Sequence, residues 1–566
     1  MLWKELIYNY VKNNKKTIMS YIIVVFLTFP VESVALPQMY SKLFESIRIK
    51  GQLPGIFENI IENIRRVSST GIIWYIIFTW CFVVFFYNVK NKYEAKISPE
   101  YLSFVRQKIF SKTLINHSTN FSELRVGEHI TRILDVSRNM RDILNFILTD
   151  IFPLLVAIVF IIGYFLYVNH KIGCVMLIGI LITMLTMYFM GNKCIEKSAE
   201  REKYYLQMSE KLSDSFGNLM NVYLNNETEK EIKKNDEIDL KHTESFKKQL
   251  ILTKDMIAIL SIISVLTFIV VLIMAYNILR NKQISGAYFV SIVIILIYYL
   301  GYLIKVSNNI PWFLNRLGIV KNSELFLENI LKTKVSKNKN NQITKGSIYF
   351  KNVSFKYPGS EDYILKNVSV NFEENNKIGI IGPSGSGKST IMKLLLRMNK
   401  IQQGEILVDG INIDNININH LRKKIIYINQ KTSLFNTSIL ENILYGNPQI
   451  TEKDVIQIIQ KYNLSTIYQE LKKGIYEDAG VSGANLSLGM QKVTILLRGI
   501  FKEGKIVIFD EPLAGLDSST RMKVIKMIKG ECKNKTVLII THDKEIIPYC
   551  DKVLNITDIK NNRLNS

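Results

Sequence analysis

Cysteine is rare in this sequence of 566 residues, and the pattern of its five positions excludes two kinds of stabilising site. The cysteines form no CxxC pair and no Cys/His cluster with metal-ligand spacing, so the sequence predicts neither a disulfide framework nor a zinc site. Two of them fall inside apolar runs, where we expect small buried residues. The five are Cys81, Cys174, Cys194, Cys532 and Cys550, and the two in apolar runs are Cys81 and Cys174.

Acidic residues are outnumbered, with 49 Asp and Glu against 72 Lys and Arg, which gives a net charge of +23. Nucleic-acid binding is one explanation of such an excess. We favour a second explanation, in which lysines crowd the cytoplasmic side of a membrane protein. Six apolar runs support it, because each is near the ~20 residues that cross a bilayer as a helix. The runs are Ile18–Tyr40, Gly71–Tyr87, Ile151–Val168, Ile172–Gly191, Met256–Leu279 and Ile284–Ile304.

Carboxylates are nearly absent from these six runs. Only the first run contains one, Glu32, which lies between Pro30 and Pro37. An intramembrane carboxylate is a candidate functional residue, here one that would meet a cationic substrate. The alternative is that Glu32 lies near the outer interface, solvated or paired with a nearby cation. Tyrosines of the sixth run are candidates to line a pathway, although ordinary packing explains them more simply: Tyr288, Tyr298 and Tyr299.

Two long polar segments, 88–150 and 192–255, separate some of the runs, whereas others are joined by a few residues. Both long segments have helical patterns, which predicts helices that leave the membrane and return. Lys and Arg are concentrated in these segments and in the N-terminal stretch, which places both termini in the cytoplasm. No small-residue cleavage site follows residues 1–20, so we expect an amphipathic helix on the cytoplasmic membrane surface rather than a removed signal peptide.

The composition changes after the sixth run. We predict a membrane domain over residues 1–320, a linker rich in Lys and Asn over 321–345, and a soluble domain over 346–566. The fold class is therefore multi-domain, with an all-α six-helix transmembrane domain followed by an α/β phosphate-loop NTPase domain that carries a helical subdomain. The NTPase assignment depends on two motifs, a glycine-rich loop and a pair of carboxylates.

A glycine-rich loop follows the short apolar run Ile378–Ile381 and precedes the helical pattern Ile391–Met398. Strand, glycine loop and helix is the context that a phosphate-binding loop requires. Backbone N–H groups and the helix N-terminus would bind nucleotide phosphates. Lys388 would add a point charge and Ser389 a hydroxyl ligand for magnesium. The loop residues are Gly382, Pro383, Ser384, Gly385, Ser386, Gly387, Lys388, Ser389 and Thr390.

Two carboxylates end a second buried-strand pattern, Ile506–Phe509. We predict that Asp510 binds magnesium through water and that Glu511 polarises the attacking water. A structural role for the pair is a poor alternative, because a phosphate loop precedes it. The chain between Lys388 and Asp510 is long enough for an inserted helical subdomain.

These landmarks, in this order, resemble the nucleotide-binding domain of ABC transporters. The resemblance implies ATP and magnesium as ligands. It implies that Tyr357 stacks on adenine, that Gln430 senses magnesium, and that His542 contacts the γ-phosphate as a catalytic switch. It places Ser487 and Gly489 in the family signature, where both would bind the γ-phosphate of the opposite chain.

The membrane half is similar to the exporter type, also called the type I exporter or type IV ABC fold. The resemblance implies a half-transporter that works as a dimer and couples ATP binding and hydrolysis to alternating access and export. Its first coupling helix would lie near Phe121, Gly127, Glu128 and Arg132. Membrane lipid is then an obligatory neighbour, and the plasma membrane is the expected location.

The signature departs from the family pattern Leu-Ser-Gly-Gly-Gln. Leu488 replaces the first glycine and Met490 the glutamine, while Ser487 and Gly489 are retained. A leucine adds bulk where the backbone must approach phosphate closely. In ABC exporters with two different halves, a degenerate signature often accompanies an intact catalytic Glu on the same chain. We therefore favour a heterodimer with a second half-transporter over a homodimer with two slow sites.

Two other functions share this architecture. One is a type-IV-fold importer of metal chelates, which differs in transport direction. The other is an ATP-gated role without transport. The linker contains no regulatory insert, which argues against this role. The six runs exclude a soluble ABC ATPase acting on nucleic acid. Because we find no cysteine-protease segment before the first run, we do not expect a peptide-processing exporter. The sequence does not identify the transported substrate.

Overall fold

The structure is a computed structural model, and it describes residues 2–48, 69–117, 126–324, 327–328, 342–357, 359–383, 385–430 and 433–560. The chain divides into two compact units. The first comprises Met1–Leu114 with Glu123–Thr333, and the second Ile115–Ser122 with Lys334–Ser566. Most of the predicted linker, together with Phe121, Pro358 and Ser384, lies outside the described residues, and Gly127 and Glu128 are described only by their helical backbone.

Helices make up the described part of the first unit. In chain order they are α1 (Leu2–Asn13), α2 (Lys15–Pro30), α3 (Leu36–Arg48), α4 (Ser69–His117), α5 (Val126–Phe146), α6 (Phe152–Val168), α7 (His170–Gly217), α8 (Leu219–Leu224), α9 (Thr228–Arg280) and α10 (Gly286–Asn322). Six stretches are long and apolar enough to cross a membrane: Lys15–Glu45, Gly71–Ile115, Ile130–Val168, His170–Gly217, Thr228–Arg280 and Gly286–Asn322. The six predicted spans are confirmed.

Two of the spans contain a π-helical turn, and each turn precedes a proline. One turn is Val31–Ala35 and the other Ile147–Ile151. Proline has no backbone N–H, so Pro37 and Pro153 cannot donate to the carbonyl four residues earlier. Those carbonyls fall inside the two π turns, where the helical bonding pattern is reset. Glu32 therefore lies on an irregular turn of the first span.

The described parts of the two long polar segments are mainly helical, as predicted. Helix α4 continues from its apolar part to His117, and α7 and α9 extend far beyond their apolar windows. The outward faces of the spans carry large apolar side chains, with Trp74 and Phe78 each 71% exposed. Exposed apolar surface on this scale is typical of a lipid-facing protein. The expectation that Cys81 and Cys174 are buried is wrong: both lie on such outward faces and are exposed.

The second unit contains two sheets. Its strands are β1 (Ile348–Phe355), β2 (Leu365–Phe372), β3 (Lys377–Ile381), β4 (Gln403–Val408), β5 (Ile411–Asn412), β6 (Ile425–Ile428), β7 (Ile506–Asp510), β8 (Thr536–Ile540) and β9 (Lys552–Asn555). An antiparallel sheet has the order β2-β1-β4-β5, and a parallel sheet has the order β6-β7-β8-β3-β9. In the register of the parallel sheet, β3 and β7 both pair with β8. Their carboxyl ends therefore meet at one edge, where ligands bind in open α/β sheets.

The helices of the second unit are α11 (Lys388–Leu395), α12 (Ile418–Lys424), α13 (Ile439–Leu444), α14 (Glu452–Lys461), α15 (Leu488–Ile500), α16 (Ser518–Glu531) and α17 (Ile556–Lys560). Helices α13 to α15 form the inserted helical subdomain between β6 and β7. Capping boxes begin two of them: Ser438 with Glu441 at α13, and Thr451 with Asp454 at α14. Such caps satisfy backbone N–H groups that the first helical turn leaves free.

Candidate functional site

The glycine loop joins β3 to α11 in the predicted strand–loop–helix arrangement. Gly382, Gly385 and Gly387 all have positive φ, a backbone conformation that other residues rarely adopt. A Cβ on Gly382 would clash with the Ile556 side chain, so space as well as conformation demands glycine there. The loop ends at Gly387, which caps the N-terminus of α11. Backbone N–H groups at such a helix start form an anion site.

Lys388 is the first residue of α11 and is almost fully buried. Its Nζ donates to the carbonyls of Gly382 at 2.7 Å and Pro383 at 2.9 Å, so the ammonium curls back over the loop. Burial lowers the pKa of Lys388, and the nearby carboxylates of Glu511 and Asp510 oppose that shift. The loop thus holds its positive charge at the place where phosphates would bind.

Asp510 ends β7 and receives two hydroxyl donors. Ser389 Oγ donates to Asp510 Oδ2 at 3.1 Å, and Tyr427 Oη donates to the same oxygen at 2.8 Å. Burial, followed by the charge of Asp510, raises the pKa of Tyr427 far above its usual value, so the phenol stays a donor. The sequence predicted Ser389 and Asp510 together, and the structure brings them together. Tyr427 on β6 was missed, because a lone strand tyrosine carries no signal of function.

Glu511 follows Asp510 and adopts φ of 49°. This left-handed conformation is unusual for a residue other than glycine, and such strain occurs at functional sites. The backbone N–H of Glu511 donates to the Ile540 carbonyl at 2.9 Å, which fixes the turn to β8. Its carboxylate lies 3.7 Å from His542 Nε2. His542 Nε2 in turn lies 3.2 Å from Lys388 Nζ, so these three side chains converge beside the loop.

The other predicted contacts lie around this centre. Tyr357 is half-buried, packs edge-on against Phe355, and its hydroxyl lies 3.3 Å from Thr390 Oγ1. Tyr357 therefore lies beside the loop, and its stacking on adenine stays a prediction. Gln430 lies in an exposed turn just after β6. Because β6 pairs with β7 up to Ile428 and Phe509, this turn is at the same sheet edge as Asp510.

The signature residues stand at the N-terminus of α15. Ser487 is the N-cap, and its Oγ accepts from the backbone N–H of Met490 at 3.3 Å. Leu488 is 73% exposed, whereas Met490 is only 6% exposed. Among the hydrogen bonds of the described residues, none joins Ser487 or Gly489 to the phosphate loop of the same chain.

A buried lysine on α15 is a further feature that sequence reasoning missed. Lys492 is 6% exposed, and its Nζ has no hydrogen-bond partner among the described residues. Burial lowers its pKa, and the charges of Asp510 and Glu511 act in the opposite direction. A lysine in an apolar helical pattern is usually assigned to the surface. Only the packing of α15 against β6, the strand next to β7, places this lysine near the acidic pair.

The segment from Ala514 to Asp517 directly precedes α16, and it is connected to the loop after β8. Asp517 accepts from the N–H groups of Ser519 and Thr520, both at 3.0 Å, and hydrogen bonds from Thr520 and Ser519 lower its pKa. Arg521 donates to the Leu516 carbonyl at 2.9 Å and to Asp543 Oδ2 at 2.8 Å. Asp543 follows His542 directly. The segment is thus linked through Arg521 to the residue that follows His542, the predicted switch.

Comparison with known families assigns both halves of the chain. The family described as ABC transporter transmembrane region matches residues 20–305, and the family described as ABC transporter matches residues 365–514. Together they span the six helices, the phosphate loop and the strand ending at Asp510.

Similar proteins include transporters of several kinds. An export ATP-binding/permease protein of Rickettsia bellii (strain RML369-C) is 25% identical to this chain, over 88% of each of the two chains. The mitochondrial iron-sulfur clusters transporter ATM1 of Candida albicans (strain SC5314) is 36% identical, but over 37% of this chain and 28% of its own length. The ATP-dependent lipid A-core flippase of Albidiferax ferrireducens (strain ATCC BAA-621) is 34% identical over 37% of this chain and 36% of its own length.

A solved structure has the same fold over nearly the whole chain. It is a bacterial Atm1-family ABC exporter with ATP bound, with a TM-score of 0.83 over 98% of this chain and 99% of that one. Sequence identity is 18%, so this likeness shows the fold alone.

Proposed function

The chain belongs to the ABC transporter family, as a half-transporter with its membrane and nucleotide-binding domains in one polypeptide, and from this we propose how its residues carry out ATP-driven export. The domains comprise residues 1–320 and 346–566, joined by a linker over 321–345. The protein is a multi-pass membrane protein and an ATPase coupled to transport. Transporters of this family work as dimers within lipid.

The hydrolytic site is the convergence of Lys388, Glu511 and His542 beside the glycine loop. Lys388 and the backbone N–H groups at the end of the glycine loop and the start of α11 bind the β- and γ-phosphates. Glu511 accepts a proton from the attacking water and orients it, and its fixed turn keeps the carboxylate in place. His542 contacts the γ-phosphate and reports its presence to Asp543 and Arg521. Tyr357 contacts the adenine.

Magnesium fits the oxygens at this edge. The hydroxyl of Ser389 and the carboxylate of Asp510 are hard ligands 3.1 Å apart, with Gln430 in the next turn. In the described part of the chain no group of three or more His, Cys, Asp or Glu forms a metal cage. A site with few protein ligands suits magnesium, which is completed by water and phosphates. When bound, it would neutralise charge on the transferred phosphoryl group.

The contact of Lys388 with His542, 3.2 Å apart, is the single observation that carries this proposal, because it joins the phosphate loop to the predicted switch. We expect Lys388→Met in lipid nanodiscs to reduce ATP hydrolysis at least 100-fold, since the phosphates lose their point charge. Lys393→Met on the same helix is the matched control and should hydrolyse ATP at the wild-type rate. Equal rates in Lys388→Met and Lys393→Met would refute the assignment.

The dimer is proposed to be a heterodimer. The catalytic residues are complete on this chain, yet Leu488 and Met490 alter its signature, which serves the nucleotide of the opposite chain. The partner would then supply an intact signature to Glu511. Expression of this chain without any second half-transporter tests the proposal. A homodimer should hydrolyse ATP slowly, at about a tenth or less of the rate of the complete pair; full, substrate-stimulated hydrolysis by the chain alone would overturn it.

Orientation and location complete the proposal. Both termini and the nucleotide-binding domain face the cytoplasm, in agreement with the Lys and Arg distribution. The membrane is the plasma membrane. ATP binding closes the two nucleotide-binding domains, and hydrolysis with phosphate release resets the membrane domain.

A further inference from the structure

Glu32 has surroundings that point to the class of substrate. It lies on the π turn Val31–Ala35 of the first span. At 1.5 Å per residue it is about 24 Å along the helix from Lys16 and about 15 Å from Lys42. It is therefore inside a hydrocarbon core about 30 Å thick rather than beside the basic residues at either end of its own helix.

Aromatic side chains from three spans gather around this carboxylate. Tyr87 Oη, on α4, donates to Glu32 Oε2 at 2.5 Å. The ring of Phe29 lies 5.6 Å from the ring of Tyr87 and 6.4 Å from the ring of Tyr302 on α10. Tyr298 lies one turn from Tyr302, with 6.4 Å between their rings. We call Glu32, Phe29, Tyr87, Tyr298 and Tyr302 the aromatic acid cluster.

Two other acids of the first unit are paired with cations, whereas Glu32 has no ion pair among the described residues. Lys90 Nζ lies 2.7 Å from Glu94, and Lys305 Nζ lies 3.3 Å from Asp150. Across the described ranges of the chain, no Lys, Arg or His nitrogen lies within 4 Å of the Glu32 carboxylate. A phenol bond offsets part of the cost of an intramembrane carboxylate but supplies no opposite charge.

The cluster also keeps groups available to a ligand. Glu32, Tyr87, Tyr298 and Tyr302 are half-buried rather than sealed. The hydroxyl of Tyr302 is itself buried near Glu32 and makes no hydrogen bond of regular geometry among the described residues, so the accessible parts of the cluster are its rings and the carboxylate. Aromatic faces attract cations, and ring faces beside a carboxylate form a site for an ammonium or phosphonium group with an apolar body.

We propose that the aromatic acid cluster binds the positive charge of the transported substrate, which is an amphipathic organic cation. This inference rests on the proposed export function. It replaces the simpler explanation of Glu32, a solvated or ion-paired surface acid, because its neighbours are rings from other spans. In this proposal the positive charge of the substrate is the counter-ion of the Glu32 carboxylate.

The test compares two ions of the same shape and opposite charge. The full-length chain, with any chain that co-purifies, is placed in phosphatidylcholine nanodiscs, and binding of radiolabelled tetraphenylphosphonium and tetraphenylborate is measured against empty nanodiscs. We expect saturable binding of the phosphonium at least ten-fold tighter than that of the borate. Equal affinity for the two ions, or no saturable binding of the phosphonium, would overturn the proposal without any mutation.

Variants then locate the binding. Glu32→Gln should weaken phosphonium binding at least ten-fold, whereas Glu45→Gln, at the end of the same span, should leave it unchanged. Tyr87→Phe keeps the charge and the ring, so its affinity should stay within about three-fold of the wild type. Wild-type affinity in Glu32→Gln would overturn the proposal. Absence of ATP hydrolysis by the wild-type protein in the same nanodiscs would instead refute the proposed function itself.

Discussion

The surroundings of Asp510 include Tyr427, a residue that was not predicted to belong to the site. Its carboxylate accepts from Ser389, which the phosphate-loop motif contains, and from Tyr427, which no motif contains. A bond from a neutral hydroxyl to a charged oxygen fixes the orientation of that oxygen. We therefore assign Tyr427 as a positioning residue for Asp510, the proposed magnesium ligand.

Replacing Tyr427 tests this role. Tyr427→Phe removes only the hydroxyl, so Asp510 keeps its charge but loses one constraint on its orientation; a bond to a charged group is worth at most about 1.5–3 kcal/mol. We expect the magnesium concentration for half-maximal ATP hydrolysis to rise by about three- to ten-fold. Tyr349→Phe, on β1 of the other sheet, is the control. An unchanged magnesium dependence in Tyr427→Phe would show that the bond has no part in metal binding.

At the scale of elements, the first turn of α15 separates two effects of the altered signature. Leu488 is exposed and contributes little to packing, whereas Met490 is buried in the helical subdomain. We expect Leu488→Gly to cost less than about 1 kcal/mol of unfolding free energy. Met490→Gln should cost about 1–3 kcal/mol, because it buries an amide.

Thermal unfolding and ATP hydrolysis of the full chain, measured together, check this pair. Leu488→Gly reopens the backbone to phosphate, so hydrolysis by the chain expressed alone should rise about five-fold or more. A large stability loss in Leu488→Gly with no gain in hydrolysis would mean that Leu488 supports the fold rather than obstructs phosphate.

Asp409 fixes the segment that leads into β1. Its carboxylate accepts from the backbone N–H groups of Thr344, Lys345, Gly346 and Ser347 at 2.7–2.9 Å. Burial raises the pKa of Asp409, but the four backbone hydrogen bonds lower it by more, so the pKa lies below its ordinary value. A lowered pKa in the folded state means that the stabilisation is present above the ordinary pKa near 4 and is lost as pH falls through the folded value.

Asp409→Asn should therefore destabilise the protein by about 1–2 kcal/mol at pH 7, a modest value because the group is partly exposed to solvent. The difference from wild type should shrink below about pH 4. Thermal unfolding of the full chain across pH 3–7 measures it, with Glu361→Gln as an exposed control. A difference that grows on acidification would mean that folding raises the pKa of Asp409 instead of lowering it.

Some elements could be predicted from the sequence and others could not. The glycine loop and the strand ending at Asp510 were predictable, because local spacing fixes them. The π turns were not predicted, since they arise from prolines four residues further on. Lys492 and Tyr427 were missed because their roles depend on which strands and helices become neighbours.

At the scale of the whole molecule, composition predicted six spans, and the structure confirms them. It misled only at Cys81 and Cys174. An apolar run predicts side chains that are shielded from water. In a membrane protein, lipid can shield a side chain that makes no contact with the rest of the protein. The membrane orientation depends on charge counts, which no contact within the chain can test.

Cysteine labelling tests the orientation. In a chain without its native cysteines, His170→Cys at the first residue of α7 should react with an impermeant maleimide on intact cells. Asn225→Cys, at the end of α8, should react only after the membrane is permeabilised. Labelling of Asn225→Cys on intact cells would reverse the proposed topology.

ATP hydrolysis that depends on Glu511 decides most directly whether this chain drives transport with its own nucleotide site. The full chain, with any partner that co-purifies, is assayed in nanodiscs for both hydrolysis and nucleotide binding. We expect Glu511→Gln to lower hydrolysis at least 100-fold while ATP affinity stays within about three-fold of the wild type. Hydrolysis at the wild-type rate in Glu511→Gln would contradict the assignment of Glu511 as the catalytic carboxylate.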